Sequence, residues 1–233
     1  MRNRPIPNIP DAQKELVRGL VLYEDAFLYA FNKPSGLAVQ TRGNRGTSLD
    51  HLLWTFARSN GKRPHLVHRI DAGTSGLILA AKTKPAVTFL SQEFAQRRVE
   101  KRYLALVDGA LPSEDQGRIE TPLLKVGRAV QSGRLDHGAD AALTDWSVLA
   151  RTETHALIEA RPKTGRMHQI RAHLSELGCP ILGDTIYGAG ASSGERLMLH
   201  AAGLRITLPD QERLALEAPV PADFASTRDT LLP

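Results

Sequence analysis

Three short stretches of this 233-residue chain join small, turn-forming residues to charged ones, and chemistry is most readily done there. The first is His68-Arg-Ile-Asp-Ala-Gly-Thr-Ser-Gly76. Gly73 and Gly76 permit tight backbone geometry, while Thr74 and Ser75 can bond to the backbone and secure the turn. A loop held in this way before an apolar run is a platform for a functional carboxylate, Asp71, flanked by Arg69. The plainer reading is an aspartate that caps its own turn. The second stretch is Pro162-Lys-Thr-Gly-Arg-Met-His-Gln-Ile-Arg-Ala-His173, where Arg166, His168, Gln169, Arg171 and His173 crowd around a helix start. Such donors and the positive end of a helix make an anion site. Polar groups this dense are expensive to bury unless paired, which argues against a wholly structural role. The third is Gly183-Asp-Thr-Ile-Tyr-Gly188, expected to pack beside the second, with a plain surface turn as the alternative.

Metal chemistry is a poorer fit. His68, Asp71, His168, His173, Asp184 and His200 could be imagined as ligands, but His168 and His173 stand five apart, whereas paired helical ligands recur at i and i+4. No metal is expected. The chain has no glycine-rich nucleotide loop, and no cofactor is expected either.

The elements that must position these residues follow from periodicity and turn chemistry. Residues 1–14 read as an arm or frayed terminus, and the arm is taken to extend over 1–19. Two β-rich runs, Val21–Tyr23 and Phe27–Phe31, end at the turn Lys33-Pro-Ser-Gly36. Thr47 and Asp50 read as a capping box for a helix with Leu49, Leu52, Leu53 and Phe56 on one face. Gly76–Ala81 is a buried strand. Thr83 caps a helix that carries Pro85 in its first turn and Val87, Leu90 and Phe94 on one face. Tyr103–Val107 is a strand, and residues 111–142 read as an extended loop or loose hairpin. Trp146–Leu149 pairs with Ala156–Ala160. His168–Leu177 is a short helix closed by Gly178, and Leu204–Leu208 and Arg213–Leu216 form a last hairpin. Strand pairs interrupted by single helices predict an α+β fold with a mixed, mainly antiparallel sheet, and residues 20–233 read as one catalytic domain.

Composition is that of an ordinary globular protein, with 42% apolar and 24% charged residues. No run approaches the roughly 18 apolar residues that a membrane helix needs, so no membrane partner is expected. The basic start has no apolar core behind it and does not read as a secretory signal. One cysteine, Cys179, suits a reducing cytoplasm. The net charge is +5, but Arg42 to Arg102 holds 12 Lys and Arg against 4 Asp and Glu. A clustered surplus suits a polyanion, though charge alone is equally compatible with a solvated basic face.

Taken in order, the motifs carry a resemblance. HRIDAGTSG at 68–76, YLALV at 103–107, TGRMHQIRAH at 164–173, PILGDTIYG at 180–188 and LHA at 199–201 are similar to the patterns of the RluA-type pseudouridine synthases, and NKPSG at 32–36 matches that family's early KPxG element. The matches run from about residue 20 to residue 208. Residues 1–19 are too few for the auxiliary RNA-binding domain of many relatives, so affinity is expected from the domain's own basic surface. Ala72-Gly73 stands where relatives often carry bulkier or charged residues.

The resemblance implies an isomerase that breaks the bond from sugar C1′ to uracil N1, turns the base and rejoins it through C5. It implies that Asp71 is the carboxylate, either attacking C1′ or stabilising a glycal-type intermediate. Arg166 would pair with that carboxylate and orient it. Tyr103 would stack on the base and take the sugar proton; a core strand tyrosine is the alternative. Ile170 and Leu199 would supply apolar walls. The uridine must leave its stack, and Arg69 would fill the space or hold the flipped phosphate. Arg97 and Arg98, with Lys101 and Arg102, placed on a helix end, would contact phosphates, and the 111–142 segment with Lys125, Arg128 and Arg134 would close over the RNA. The expected partner is ribosomal or transfer RNA and the expected protein a cytoplasmic monomer. A non-catalytic RNA-binding module would not require Asp71, Tyr103 and Arg166 together.

Overall fold

The computed structural model describes residues 7–41, 47–109, 112–188 and 196–233. They form a mixed, mainly antiparallel sheet with a few helices, the expected α+β class. The first six residues of the expected arm, and Leu111 of the expected loop, lie outside the described residues. The chain divides into two compact units, Met1–Val99 with Leu204–Pro219, and Glu100–Gly203 with Val220–Pro233.

In the first unit, part of the stretch read as an arm is helix α1 (Asp11–Gly19). Pro10 stands just before it, Asp11 lies in its first turn and Arg18 in its last, in the sense that the helix dipole favours. Val17 is fully buried, which is the packing that holds so short a helix. Strands β1 (Val21–Glu24) and β2 (Leu28–Lys33) form a tight antiparallel hairpin. The Asp25 carboxylate closes it by accepting the amides of Phe27 and Leu28, each at 2.7 Å. Helix α2 (Leu49–Leu52) is a single turn prolonged by a 3-10 turn, Leu53–Phe56. Its cap is Ser48, whose hydroxyl accepts the His51 amide, and not the predicted Thr47.

Strand β3 (His65–Leu66) and strand β2 both pair antiparallel with β4 (Ser75–Ala81). Every residue of β4 is buried, which fits its apolar run Leu77–Ala81. Lys33 stands opposite Gly76, so the turn that leaves β2 and the turn that enters β4 meet at one end of the pair. Helix α3 (Lys84–Ala95) starts as predicted: Thr83 Oγ1 accepts the Ala86 amide, and Pro85 lies in the first turn. Leu90 is fully buried, with Val87 and Phe94 packed on the same cluster.

In the second unit, β5 (Glu100–Asp108) is followed by β6 (Gln116–Ile119), β7 (Leu123–Val126), β8 (Ala129–Ser132), β9 (Thr144–Arg151) and β10 (His155–Pro162). The neighbours run β5-β10-β9-β6, all antiparallel, and β7–β8 is a separate hairpin. The stretch expected to be an extended loop or loose hairpin therefore holds the β7–β8 hairpin and one further strand, β6. Each strand is only four residues long, and β6 finds its partner in β9, about thirty residues on, so no local alternation betrays it. Helix α4 (Gln169–Glu176) follows, and Gly178 closes it with φ +86°. Strand β11 (Leu199–Thr207) gives its first five residues to this unit and its last four to the first. Strand β12 (Arg213–Glu217) returns beside β11 as the predicted hairpin. Helix α5 (Ala222–Leu231) buries Phe224 in the core of the second unit.

Candidate active site

Asp71 lies half-buried in a turn, between buried Ile70 and exposed Ala72, four residues before β4 begins. The turn closes on itself through the Thr74 amide, which donates to the Asp71 carbonyl at 3.1 Å. It is also strapped to the Lys33–Gly36 turn. Lys33 Nζ and the Gly36 amide both donate to the Ala72 carbonyl at 2.9 Å, and Ser35 Oγ donates to the Gly73 carbonyl at 2.7 Å. The positive φ that such close turns demand falls on Gly36 (+85°) and Gly76 (+105°), and not on Gly73, where the sequence also suggested it.

The residues flanking Asp71 divide by exposure. Arg69 is exposed. His68 is a framework residue: its Nε2 accepts the Leu79 amide at 2.9 Å and its ring stacks on Phe94 at 4.3 Å.

The head of α4 departs from the expectation of an anion site. Of the five donors expected to bind an anion, three are consumed inside the protein. Gln169 is buried: its Oε1 accepts from Thr164 Oγ1 and the Arg166 amide, and its Nε2 donates to the Leu143 carbonyl and Thr144 Oγ1. His173 is fully buried between Thr144 Oγ1 (2.9 Å) and the Thr121 carbonyl (3.0 Å). The carbonyl can only accept, so Nε2 carries the proton and Nδ1 takes the Thr144 hydroxyl. Burial pushes the His173 pKa down, with the Thr121 carbonyl opposing, which keeps the ring neutral. Arg171 forms a two-pronged pair with Asp184, both contacts at 2.7 Å. Dense polar residues are tolerated here because each is paired.

Arg166 and His168 remain at the surface of this network. Arg166 Nε donates to the Ala141 carbonyl at 3.0 Å, and Nη1 stands 3.2 Å from the Asp140 carboxylate, which is largely exposed. His168 precedes α4 with φ +51°, a conformation that side chains rarely adopt, and its Nδ1 lies 3.1 Å from Tyr187 Oη.

The third stretch is a lock and not a plain surface turn. Besides Arg171, the Asp184 carboxylate accepts the amides of Ile186 and Tyr187. Burial alone pushes its pKa up, but the guanidinium and the two amides outweigh it and hold the carboxyl below its ordinary value. The Arg171 guanidinium lies over the Tyr187 ring at 5.2 Å, and Tyr187 Oη accepts the Val130 amide at 2.8 Å. The stretch thereby joins α4 to the β7–β8 hairpin. A Cβ at Gly188 would stand 2.5 Å from the Asp184 carbonyl, so only glycine fits there.

Of the remaining expected site residues, three share one core and the basic ones do not share one helix end. Tyr103 is half-buried on β5 and packs on the core of the second unit, to which Ile170 and Leu199 also belong, 6% and 3% exposed. The basic run does not share one helix end: Arg97 and Arg98 follow α3, and Lys101 and Arg102 open β5. Arg97 and Arg98 are exposed, Arg98 paired with Glu93. Lys101 Nζ donates to the Thr164 carbonyl at 2.7 Å, and Arg102 packs beside Gly203 and reaches to 3.6 Å from Glu159. Among the described residues no group of three or more His, Cys, Asp and Glu could hold a metal ion, and no helix is long and apolar enough to cross a membrane. Sequence reasoning gave Lys33 no role beyond its place in the NKPSG element; in the structure it is fully buried, with Nζ donating to the carbonyls of Pro34, Leu37 and Ala72.

The sequence model of the RNA pseudouridylate synthase family matches residues 28–176. An uncharacterized RNA pseudouridine synthase of Zymomonas mobilis is 36% identical over 88% of this chain and 94% of its own length. Ribosomal large subunit pseudouridine synthase D of Neisseria meningitidis is 37% identical over 88% of this chain, which spans 59% of that relative. In three dimensions the chain is similar to human RNA pseudouridylate synthase domain containing 4, with TM-score 0.80, 28% identity, and coverage of 95% of this chain and 97% of the human one.

Proposed function

We propose that this chain, which belongs to the RNA pseudouridylate synthase family, isomerises uridine in structured ribosomal or transfer RNA through the carboxylate of Asp71. The names of relatives that modify the large ribosomal subunit make its RNA the first substrate to test. The match to the family runs through both compact units, which supports one catalytic domain, residues 20–233, after an N-terminal segment that carries α1. The protein works as a cytoplasmic monomer; the rearrangement needs no external oxidant or reductant and transfers no group to or from a second molecule, so it calls for no metal or cofactor.

The observation that carries the reading is the way the Asp71 turn is held. Hydrogen bonds from a turn more than thirty residues earlier restrain it, so the backbone that carries the carboxylate is held before any RNA arrives. With a uridine flipped from its stack, Asp71 acts at the sugar while the C1′–N1 bond breaks. The freed uracil turns, C5 bonds to C1′, C5 gives up its hydrogen as a proton, and N1 ends protonated. Tyr103 stacks on the base and, on the glycal route, takes the sugar proton and returns it as C1′ bonds to C5; Arg166 supplies positive charge to the reacting carboxylate, and Ile170 and Leu199 wall the base. Arg69 holds the flipped strand, and Arg97, Arg98, Lys101 and Arg102 answer to backbone phosphate.

Asp71→Asn removes the charge with little change of shape. RNA carrying tritium at uracil C5 releases it to water when pseudouridine forms, which measures turnover directly. The variant is expected to melt and bind RNA like the parent while releasing tritium at background rate. Retention of more than about a tenth of parental turnover, a loss under roughly 1.4 kcal/mol, would overturn the assignment. Mapping pseudouridines in total RNA with and without the gene names the substrate.

A further inference from the structure

Helix α3 closes on a residue type that seldom holds such a position. The Arg97 amide donates to the Phe94 carbonyl at 3.1 Å, and the Arg98 amide to the Glu93 carbonyl at 2.9 Å. These two bonds form together when the residue just past the helix takes the left-handed conformation. Arg97 does so, with φ +59°. A Cβ in that conformation crowds the following carbonyl oxygen, which is why glycine is the common choice there. Among the described residues only His168 and Gln211 otherwise combine a side chain with positive φ. Two readings compete for a side chain kept at this place. One is the helix dipole, which favours a cation near a helix C-terminus. Arg98 already supplies that charge, its guanidinium bonded to the buried carboxylate of Glu93 in the last turn. At an exposed site the dipole term is also screened, and it is smaller than the crowding of the backbone.

The other reading is a ligand. Arg97 is exposed, and its guanidinium makes no hydrogen bond or ion pair among the described residues. Its backbone, by contrast, is held on both sides. Val99 is buried, Arg98 is latched to Glu93, and Phe94, whose carbonyl takes the Arg97 amide, stacks its ring on His68 at 4.3 Å. His68 begins the segment that carries exposed Arg69 and then Asp71. The guanidinium therefore rides on a rigid stub packed beside the Asp71 segment, an arrangement that binds a polyanion with little backbone ordering left to do. We propose that Arg97 is kept in its crowded conformation because it grips a phosphate of the RNA that enters the Asp71 site. Glycine at this position would give a more stable protein and a weaker RNA binder. The inference rests on the reading of the chain as an enzyme acting on RNA. It goes beyond that reading by separating Arg97 from Arg98, Lys101 and Arg102, each of which is engaged inside the protein by Glu93, Thr164 and Glu159 respectively.

The test uses the full chain and unmodified large-subunit ribosomal RNA made by transcription, with affinity measured across salt and melting measured on the same preparations. Arg97→Gly is expected to raise the melting temperature by about 2–4 °C, as relief of the crowded conformation does in a chain of this length. Its affinity should lie about fivefold to tenfold below the parent near 0.1 M salt and converge on it toward about 1 M, the log–log slope being smaller by about 0.7–0.9. Arg97→Lys keeps the charge and should keep the parental slope. Gln211→Gly relieves the same conformation in the turn between β11 and β12, and should gain stability with RNA affinity unchanged. Single turnover of C5-tritiated RNA at saturating enzyme should run at the parental rate in Arg97→Gly, because a phosphate grip acts on binding and not on bond breaking. The inference is overturned by a parental salt slope in Arg97→Gly, by a melting temperature that does not rise, or by a lowered rate at saturation. It is equally overturned if Arg97→Lys shows the slope of the glycine variant, or if Gln211→Gly loses affinity as Arg97→Gly does. A parent whose RNA binding ignores salt overturns the reading of the chain as an RNA enzyme too. Salt-dependent binding by the parent with an unchanged slope in Arg97→Gly removes the role of Arg97 alone.

Discussion

Asp184→Asn tests how tightly the head of α4 is locked. The substitution is nearly isosteric, so it removes charge and leaves volume alone. Arg171, whose side chain is 8% exposed, would keep its cation in a site where the partner side chain is 0% exposed, and the neutral amide cannot accept its two-pronged fork as the carboxylate does. Removing one member of a buried ion pair typically costs about 3–5 kcal/mol. For a chain of this length each kcal/mol lowers the melting temperature by roughly 2–4 °C, giving an expected fall between about 6 and 20 °C. The chain has two tryptophans, and Trp146 sits in the core of the second unit, so fluorescence in a Trp54→Phe background reads that unit. The pH dependence has a definite sign. The folded Asp184 carboxyl titrates below its ordinary value, so its contribution is complete above the unfolded pKa near 4 and is lost as pH falls through the lower folded value. The parent-minus-variant difference should therefore be level near neutrality and shrink in acid below about pH 4. The double change Arg171→Met with Asp184→Asn removes both charges while the side-chain oxygen can still accept the Ile186 and Tyr187 amides, and should recover part of the loss. A melting change under about 2 °C for Asp184→Asn would refute the argument.

Three further outcomes are expected. RNA affinity should fall steeply between about 50 and 200 mM salt; Arg97→Ala and Arg98→Ala should each flatten the log–log slope by about 0.7–0.9 for every phosphate left without its cation, while Lys101→Ala and Arg102→Ala, both bonded inside the second unit, should lower the melting temperature as well. Gly36→Ala meets open space but demands a side chain at φ +85°, so urea unfolding should show a loss of about 1–2 kcal/mol without any steric clash. Since burial depresses the His173 pKa, stability should decline as pH falls below the ordinary value of about 6.5, and His173→Gln should remove that part of the acid dependence.

Local signals in the sequence were enough for most of the elements. The β1–β2 hairpin, β4, the Thr83 cap of α3, the β9–β10 pair, α4 with Gly178 and the β11–β12 hairpin all announce themselves within ten or so residues, because caps, turns and apolar period act at that range. Family membership was equally legible, since the motifs are short and contiguous. What local pattern could not reach was pairing at a distance. Helix α1 is held by the burial of one valine, Val17; strand β6 is ordered by β9, about thirty residues on, and the local β7–β8 hairpin is tied to α4 by Tyr187. The same limit governed the site. Sequence marks Gln169, Arg171 and His173 as polar and clustered, but whether a donor faces a ligand or an internal acceptor depends on Thr121, Thr144 and Asp184, which only the folded chain brings to them. Lys33 is the clearest instance. Read alone it is a charged residue before a proline; folding removes it from water and turns its ammonium into the tie between two turns, because a buried cation must find acceptors and the nearest carbonyls belong to its own turn and to the segment beside Asp71.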